Sequence, residues 1–189
     1  HDRLTGLPNR TLFFDRLSQS ISKARRNRNR VALLFGDLDG FKHANDQFGH
    51  DAGDIVLKIV ASRLLSTVRA IDTVARIGGD EFVVILGDIA NPDEAEHIGN
   101  KLIHSVIPPI ALPGNLHCSV GLSIGISIFP DHGTEMDTLL AAADSAMYQS
   151  KTAGKGKCTL FDGPSPSVAM QDNWIHLDAS CHVGVAQID

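Results

Sequence analysis

The sequence predicts an α+β domain in which helices flank a central, mixed but largely antiparallel sheet of five strands. Short apolar β-type runs alternate with longer segments whose apolar residues recur at helical spacing. Two of the β-type runs, residues 73–77 and 82–86, are separated only by a tip that contains Gly78 and Gly79, which indicates a hairpin. The resulting order is α-β-α-α-β-β-α-β-α-β. One hairpin combined with crossover connections favours a sheet of mixed direction.

Each element follows from a local signal. A helix is predicted to begin near Asn9, and Asn91 is a predicted helix N-cap that is followed by Pro92, which is favoured in the first helical turn. Residues 31–35 are continuously apolar, as expected of a strand that is covered on both faces. The predicted strands are residues 31–35, 73–77, 82–86, 116–129 and 158–161. The predicted helices begin near residue 9 and continue with residues 41–50, 51–70, 92–106 and 134–153.

The pattern breaks after Asp162, where the run from Gly163 to Ser167 predicts a linker. The sequence therefore predicts one domain over residues 1–162, followed by a linker or tail over residues 163–189 with no assigned structure. Because the chain begins with His1, we expect it to be a piece of a longer sensor protein, which could be anchored in a membrane.

The composition excludes several classes of protein. Of the 189 residues, 43% are hydrophobic and 21% are charged, as in an ordinary globular domain. A net charge of −5 argues against a binder of nucleic-acid polymers or of membrane surfaces, and no apolar run reaches membrane-spanning length. The three scattered cysteines fit neither a disulfide framework nor a zinc site. The expected location is the cytoplasm.

Four carboxylates stand at the ends of strands that can be neighbours: Asp37, Asp39, Asp80 and Glu81. Side chains alternate along a strand, so the adjacent Asp80 and Glu81 can have different roles. Carboxylates gathered at one point repel each other unless a cation neutralises them, and Mg²⁺ bound by carboxylates and substrate phosphates suits such a site. The residues alone leave a second interpretation open, a solvated acidic turn beside ordinary strand-end aspartates.

A phosphate site is predicted next to these carboxylates. The loop at Gly40 leads into a helix whose first backbone N–H groups are available to phosphate oxygens, and Lys42 lies in the same turn. Carboxylates, a cation, a helix N-terminus and a lysine together indicate phosphoryl or nucleotidyl transfer.

Several separated motifs then resemble one known family. They are DRLTGLPNR at residues 2–10, DLDGFK at 37–42, ND at 45–46, GH at 49–50, GD at 53–54, RIGGDEF at 76–82 and SIGI at 123–126. Because these motifs occur in this order, the chain resembles a GGDEF domain, the catalytic domain of diguanylate cyclases, over residues 2–162. The resemblance implies the palm fold of nucleotide cyclases and polymerases, which is of ferredoxin-like type. It also implies a homodimer that converts two GTP into cyclic di-GMP and two pyrophosphates, each 3′-hydroxyl attacking an α-phosphate across the interface.

The resemblance implies a role for each matching residue of the metal site. Asp37, the carbonyl of Leu38 and Asp80 would bind Mg²⁺, or Mn²⁺ in its place. Asp80 would also help to deprotonate the 3′-hydroxyl, and Glu81 would support the metal site or the guanine end. Lys42 would stabilise charge that develops on the phosphates.

Substrate binding is assigned in the same way. The backbone amides of Phe41 and Lys42 would hold the terminal phosphates. Asn45 and Asp54 would recognise guanine, because an acidic acceptor matches N–H donors that adenine lacks.

The end of the last helix departs from the family pattern. Lys151 matches, but Lys155 and Gly156 follow Gly154 where the family has Arg and Asn after this Gly. We expect both lysines to bind phosphate. Lys155 keeps the charge but lacks the guanidinium fork, so the GTP requirement should rise modestly.

A regulatory site is predicted at Arg69 and Asp72. Their RxxD spacing and their position before Gly78 match the family's inhibitory site, where the product cyclic di-GMP binds. Inhibition would then be a linkage between two sites. The pattern alone is equally typical of an exposed ion pair at a helix end.

The sequence also allows two other functions. A catalytically silent GGDEF module would bind GTP or cyclic di-GMP and regulate an attached domain. A purely structural dimerisation domain would leave the carboxylate cluster unexplained.

Overall fold

The computed structural model describes residues 1–163, in which five helices pack on a five-stranded sheet. The helices are α1 (Arg10–Asn27), α2 (Phe41–Phe48), α3 (His50–Thr67), α4 (Pro92–Val106) and α5 (Met136–Thr152). The strands are β1 (Arg30–Asp39), β2 (Thr73–Gly78), β3 (Glu81–Ile89), β4 (Ile110–Leu112), β5 (Leu116–Cys118), β6 (Gly121–Phe129) and β7 (Cys158–Leu160). Apart from Gly163, the predicted tail over residues 163–189 lies outside the described residues.

The central sheet has the strand order β2-β3-β1-β6-β7. All neighbouring strands are antiparallel except β6 and β7, which are parallel. The predicted α+β class with a mixed, largely antiparallel sheet is therefore confirmed, and so is the hairpin formed by β2 and β3. Because β1 lies at the centre, residues at its C-terminal end meet side chains from both β3 and β6.

Helices cover both faces of the sheet. Alternate side chains of β1 belong to different core clusters: Leu34 and Leu38 pack with α3 and α4, whereas Leu33 and Phe35 pack with α1 and α5. This two-sided burial explains why the β1 run is continuously apolar rather than alternating.

Gly125 lets α5 lie directly on β6. A Cβ atom at this position would stand 2.0 Å from the carbonyl oxygen of Ala143 and 2.1 Å from the amide nitrogen of Met147. The buried Ser150 of α5 donates a hydrogen bond of 2.8 Å to a β6 carbonyl. The contact between α5 and the sheet is thus close and fixed, and it positions Lys151 at the end of this helix.

The predicted end of the first strand is wrong. The strand was predicted over residues 31–35, before Gly36, whereas β1 continues through this glycine to Asp39. The strand has partners on both sides, and the ladder to β3 extends to the pair Asp37 and Glu81. Hydrogen bonding to two neighbours therefore overrides the weak strand preference of a single glycine.

The predicted strand over residues 116–129 is also wrong, because it is two strands. The first part, β5, pairs with β4 in a separate two-stranded sheet, and only β6 joins the central sheet. Pro113 and Gly114 lie between β4 and β5, and Gly114 has φ 77°. This turn closes a local hairpin, so β5 pairs with the chain just before it. The ends of α3 and α5 differ from the predicted ends by one to three residues.

Candidate functional site

Three central strands place the predicted carboxylates together. Asp37 near the end of β1 is paired with Glu81 on β3 and with Ser123 on β6. The amide of Leu38 donates a hydrogen bond of 3.3 Å to the carbonyl oxygen of Asp80. The tip between β2 and β3 therefore lies beside the C-terminal end of β1, as the sequence predicts.

A cleft of about 490 Å³ opens at this end of the sheet. Predicted site residues that line it are Asp37, Leu38, Phe41, Lys42, Asp80, Lys151 and Lys155. They come from β1, the start of α2, the hairpin tip and the end of α5. The cleft is also lined by Asp39 of the predicted carboxylate group, by Gly40 of the predicted phosphate loop, and by His43 and Asp46, to which the sequence assigned no role. Acidic side chains and lysines thus share one concave surface.

Asp37 forms an ion pair with Lys151. The distance from Oδ1 to Nζ is 2.5 Å, and 16% of the Asp37 side chain is exposed. Burial raises the pKa of Asp37, the hydrogen bond from Lys151 opposes that rise, and the negative charge of Asp80 adds to it. Lys151 is therefore the cation that balances this carboxylate in the protein alone.

Glu81 is the most perturbed carboxyl group of the site. Burial, followed by the charges of Asp37, Asp80 and Asp144, raises its pKa from 4.5 to about 7. Glu81 is consequently only partly ionised at neutral pH. A group of carboxylates that cannot all ionise together favours any cation that enters the cleft.

Asp144 on α5 is a further member of this group that the sequence reasoning missed. Burial raises its pKa, and the charge of Lys151 opposes the rise. The spacing in the sequence could have indicated that Asp144 lies near the site, because Asp144 and Lys151 are seven residues apart and therefore lie on one face of a helix. The proximity of Asp144 to Glu81 depends on how α5 packs and could not be read from spacing.

The start of α2 presents backbone N–H groups to the cleft. Gly40 begins the helix with φ 84° and no side-chain cap, and its carbonyl accepts the first helical hydrogen bond, 3.0 Å from Ala44. The amides of Phe41 and Lys42 precede that bond and have no acceptor within the helix. The exposed Lys42 side chain adds a positive charge at the same place.

The residues predicted to recognise guanine lie outside the cleft lining. Asn45 packs against Gly53 of α3, where a Cβ atom would stand 1.9 Å from its Oδ1. That buried Oδ1 has no hydrogen-bond partner in residues 1–163. Asp54 follows Gly53 and is exposed. Together the two residues present an unused acceptor and a carboxylate on adjoining helices.

Arg69 and Asp72 lie together before β2, away from the cleft. The guanidinium of Arg69 forms an ion pair with Glu94 at the start of α4. Asp72 is buried, and its carboxylate accepts hydrogen bonds from the amides of Arg69 at 3.0 Å and Gly87 at 3.4 Å. Asp72 therefore stabilises the local turn, while the charged partner of Arg69 is Glu94.

Arg76 holds the hairpin tip, a role that the sequence reasoning did not assign. Its Nε and Nη2 atoms donate hydrogen bonds of 2.9 and 2.6 Å to the carbonyl of Gly79, and Nη1 donates one of 3.0 Å to Asp2. Asp2 in turn accepts from the amide and the hydroxyl of Thr5 at 2.8 and 2.6 Å. The N-terminal segment and the tip that carries Asp80 are thus joined through one guanidinium.

The donor set available to a cation at this site is small. Residues 1–163 contain no group of three or more His, Cys, Asp or Glu placed to hold a metal ion. The predicted site offers two carboxylates, those of Asp37 and Asp80, and the backbone carbonyl of Leu38.

None of the helices in residues 1–163 has the length and the apolar composition of a membrane-spanning helix.

Comparison with known proteins identifies close relatives. A family model described as diguanylate cyclase, GGDEF domain, matches residues 1–157. The diguanylate cyclase TpbB of Pseudomonas aeruginosa is 41% identical over 175 residues, which cover 93% of this chain and 40% of TpbB. The cyclic di-GMP phosphodiesterase NbdA of the same organism is 40% identical over 161 residues, which cover 85% of this chain and 20% of NbdA. The chain thus spans less than half of either curated relative.

Solved structures agree with this assignment. The structure of the GGDEF domain of TpbB matches with a TM-score of 0.83 and 42% identity, covering 86% of this chain and 94% of that one. The GGDEF domain of DgcB from Caulobacter crescentus, solved in complex with c-di-GMP, matches with a TM-score of 0.79 and 28% identity. That match covers 86% of this chain and 95% of the DgcB chain.

Proposed function

This chain belongs to the GGDEF-domain family of diguanylate cyclases, as its motifs predicted, and we propose that it joins two molecules of GTP into cyclic di-GMP with release of two pyrophosphates. The observation that carries the proposal is the single cleft in which Asp37 and Asp80 face Lys42, Lys151 and Lys155. Such a cleft provides acidic groups for a cation and a proton, and cations for a triphosphate. The proposed location of the reaction is the cytoplasm.

The residues present fit a divalent cation. We propose that Asp37, Asp80 and the carbonyl of Leu38 would hold Mg²⁺, or Mn²⁺ in its place. Mg²⁺ usually takes one or two carboxylates and keeps water and phosphate oxygens as its other ligands, so a small donor set suits it. The raised pKa values of Asp37 and Glu81 indicate acidic groups in need of a cation. When bound, the metal neutralises phosphate charge and favours loss of the proton from a hydroxyl group.

The cations of the cleft bind the triphosphate. In this proposal the amides of Phe41 and Lys42 receive the terminal phosphates, and the Lys42 ammonium stabilises negative charge on the leaving pyrophosphate. Lys151 and Lys155 contact phosphate from the opposite side of the cleft. Lys151, which pairs with Asp37 at 2.5 Å in the protein alone, is released for this role when another cation balances Asp37.

Asp80 accepts the proton of the reacting hydroxyl. In each half-reaction the 3′-oxygen of one GTP forms a bond to the α-phosphorus of the other, and the bond from that phosphorus to the pyrophosphate oxygen breaks. The hydroxyl proton passes to the Asp80 carboxylate. Glu81, half-buried beside it, supports the charge balance of the site. Because the reaction joins two GTP and each 3′-oxygen attacks the other nucleotide, we propose that catalysis requires a homodimer with one GTP in each copy.

Asn45 and Asp54 select guanine. The buried Oδ1 of Asn45, which has no protein partner among residues 1–163, suits a donor on the base. The exposed carboxylate of Asp54 suits the adjacent N–H donors of guanine. Adenine would leave these acceptors unpaired, and an unpaired buried polar group is costly.

We propose that the product inhibits the enzyme through Arg69 and Asp72. Arg69 lies away from the cleft, so product bound there leaves the catalytic residues free. Its present partner is Glu94, and the product phosphate would replace that carboxylate. Asp72 keeps the turn in place from its buried position.

An assay with purified protein tests the proposed activity. Incubation with GTP and Mg²⁺ should yield cyclic di-GMP and pyrophosphate in a 1:2 ratio, measured by chromatography, whereas ATP should yield no cyclic dinucleotide. The Asp80→Ala variant should lose at least about 10²-fold in rate. Absence of product from a covalently forced dimer would refute the proposal.

The second candidate is a catalytically silent module that binds GTP or cyclic di-GMP to regulate an attached domain. The observation that favours it is the likeness to NbdA, a relative named for phosphodiesterase activity. Tight GTP binding without product in the same assay would select this candidate.

A further inference from the structure

Asp39, the last residue of β1, contacts the turn that follows α5. Its Oδ2 accepts a hydrogen bond of 3.1 Å from the amide of Gly156 and one of 2.8 Å from the hydroxyl of Ser123. The Gly156 amide is also 3.1 Å from that hydroxyl oxygen, so the carboxylate, the hydroxyl and the amide all lie within hydrogen-bonding distance of one another. Ser123 is fully buried. Asp39 lines the cleft, yet the proposed function assigns it no role.

The turn has a conformation that needs external support. Gly154, Lys155 and Gly156 have φ values of 112°, 63° and 59°, and the left-handed region is unfavourable for a residue with a Cβ such as Lys155. On the α5 side, the Lys155 amide donates a hydrogen bond of 3.1 Å to the carbonyl of Ser150. On the other side, the Gly156 amide is held by Asp39. Lys155 lies between the two supports.

The space around Asp39 is shaped for this contact. The residue paired with it on β6 is Gly121, and a Cβ atom there would stand 3.2 Å from both the Cβ and the Oδ2 of Asp39. Oδ1 of Asp39 is buried and has no hydrogen-bond partner within the part of the chain that is described. Within the described residues, the carboxylate of Asp39 therefore accepts hydrogen bonds from Ser123 and from the turn at Gly156.

We propose that Asp39 is a positioning residue for Lys155. By holding the Gly156 amide, it keeps the turn in its left-handed conformation and directs the Lys155 ammonium into the cleft, where the terminal phosphates of the nucleotide bind. This inference rests on the proposed function, since it gives Lys155 its phosphate. Asp39 acts through the turn and does not itself touch the substrate.

A double-mutant cycle measured by nucleotide binding tests the inference. The probe is 3′-deoxy-GTP with Mg²⁺, which lacks the reacting hydroxyl and therefore binds without turnover, titrated by calorimetry. Asp39→Ala and Lys155→Ala should each weaken binding about tenfold, the size expected for one charge-assisted contact. The double variant should bind within about twofold of Lys155→Ala, because Asp39 acts through that lysine. The inference would be overturned if the double variant lost affinity by the product of the two single losses. It would also be overturned if Asp39→Ala lost no affinity.

The conservative variant separates positioning from a direct role of the charge. Asp39→Asn keeps an oxygen that accepts from Gly156 and should recover most of the affinity that Asp39→Ala loses. A loss in Asp39→Asn equal to that in Asp39→Ala would show that the carboxylate charge acts directly, which contradicts the proposal. Ser123→Ala removes one member of the set with little change in volume, and a loss of about two- to threefold is expected.

Hydrogen exchange reports the anchor without any nucleotide. The Gly156 amide should be protected in the wild-type protein and in Asp39→Asn, and should exchange faster in Asp39→Ala while α5 stays protected. Unchanged exchange in Asp39→Ala would refute the anchor. If the wild-type protein fails to bind 3′-deoxy-GTP, the proposed function fails and the phosphate role of Lys155 fails with it. Binding with independent losses refutes only the role of Asp39.

Discussion

Glu81→Gln should stabilise the metal-free protein at alkaline pH and leave its stability unchanged in acid. Glu81 has a folded-state pKa of about 7 against 4.5 for an unperturbed glutamate, because it is partly buried and lies near other carboxylates. Between those values the unfolded chain has lost the proton and the folded chain retains it. The free energy of unfolding therefore falls as pH rises from about 4.5 to about 7. At about 1.4 kcal/mol per pKa unit, the rise from 4.5 to about 7 limits the total loss to about 3.5 kcal/mol, and the partial exposure of Glu81 to solvent reduces it.

Urea denaturation in EDTA, at pH 5 and at pH 8, measures this effect. The glutamine side chain has the shape of protonated Glu81 but cannot ionise, so at pH 5, just above the unfolded-state pKa, the variant should be more stable than the wild-type protein by less than about 1 kcal/mol. At pH 8 the variant should be more stable by about 2 to 3 kcal/mol. Glu135→Gln is the matched control, since that side chain is 76% exposed, and its effect should stay within about 0.5 kcal/mol at both pH values. Equal effects of Glu81→Gln at both pH values would refute the reasoning.

Three further predictions follow from contacts elsewhere in the fold. Gly125→Ala should lower the free energy of unfolding by about 3 kcal/mol in a urea titration, because its Cβ atom would meet the backbone of α5 at 2.0 Å. The control is Gly87→Ala, whose Cβ atom would meet nothing within 4 Å, and its effect should stay within about 0.5 kcal/mol. Arg76→Ala should lower kcat at least about tenfold by releasing the tip, and an unchanged kcat would contradict its role. Arg69→Ala should raise the inhibition constant for cyclic di-GMP about tenfold without changing the initial rate, whereas Glu94→Gln, which frees Arg69, should lower it severalfold. If neither change altered the inhibition constant, the product would bind at another site.

Local signals in the sequence were enough to predict most elements. The predicted N-cap Asn91 accepts a hydrogen bond of 3.0 Å from the amide of Glu94, as capping requires. Asn9, near which the first helix was predicted to begin, accepts one of 3.0 Å from the amide of Leu12. The glycines before Asp80 correctly predict a hairpin because a tight turn needs a backbone that tolerates positive φ, and Gly79 has φ 44°. Errors arose where a local signal competed with pairing partners, at Gly36 within β1 and at the turn before β5. Turn residues predict a change of direction, but the strand that pairs with each arm depends on the whole sheet.

The sequence by itself determined the residue types, their order and the local periodicity, and these were sufficient for the fold class, the hairpin and the family. Only the tertiary structure decided which distant residues meet. Lys151 reaches Asp37 because Gly125 lets α5 approach β6 closely, and Asp39 reaches Gly156 across 117 positions of the chain. Partial burial beside Asp37, Asp80 and Asp144, which are distant in sequence or on other elements, raises the pKa of Glu81 to about 7. Helix and turn preferences act over a few residues and can be read from sequence, whereas desolvation and charge pairing depend on every element that surrounds a side chain.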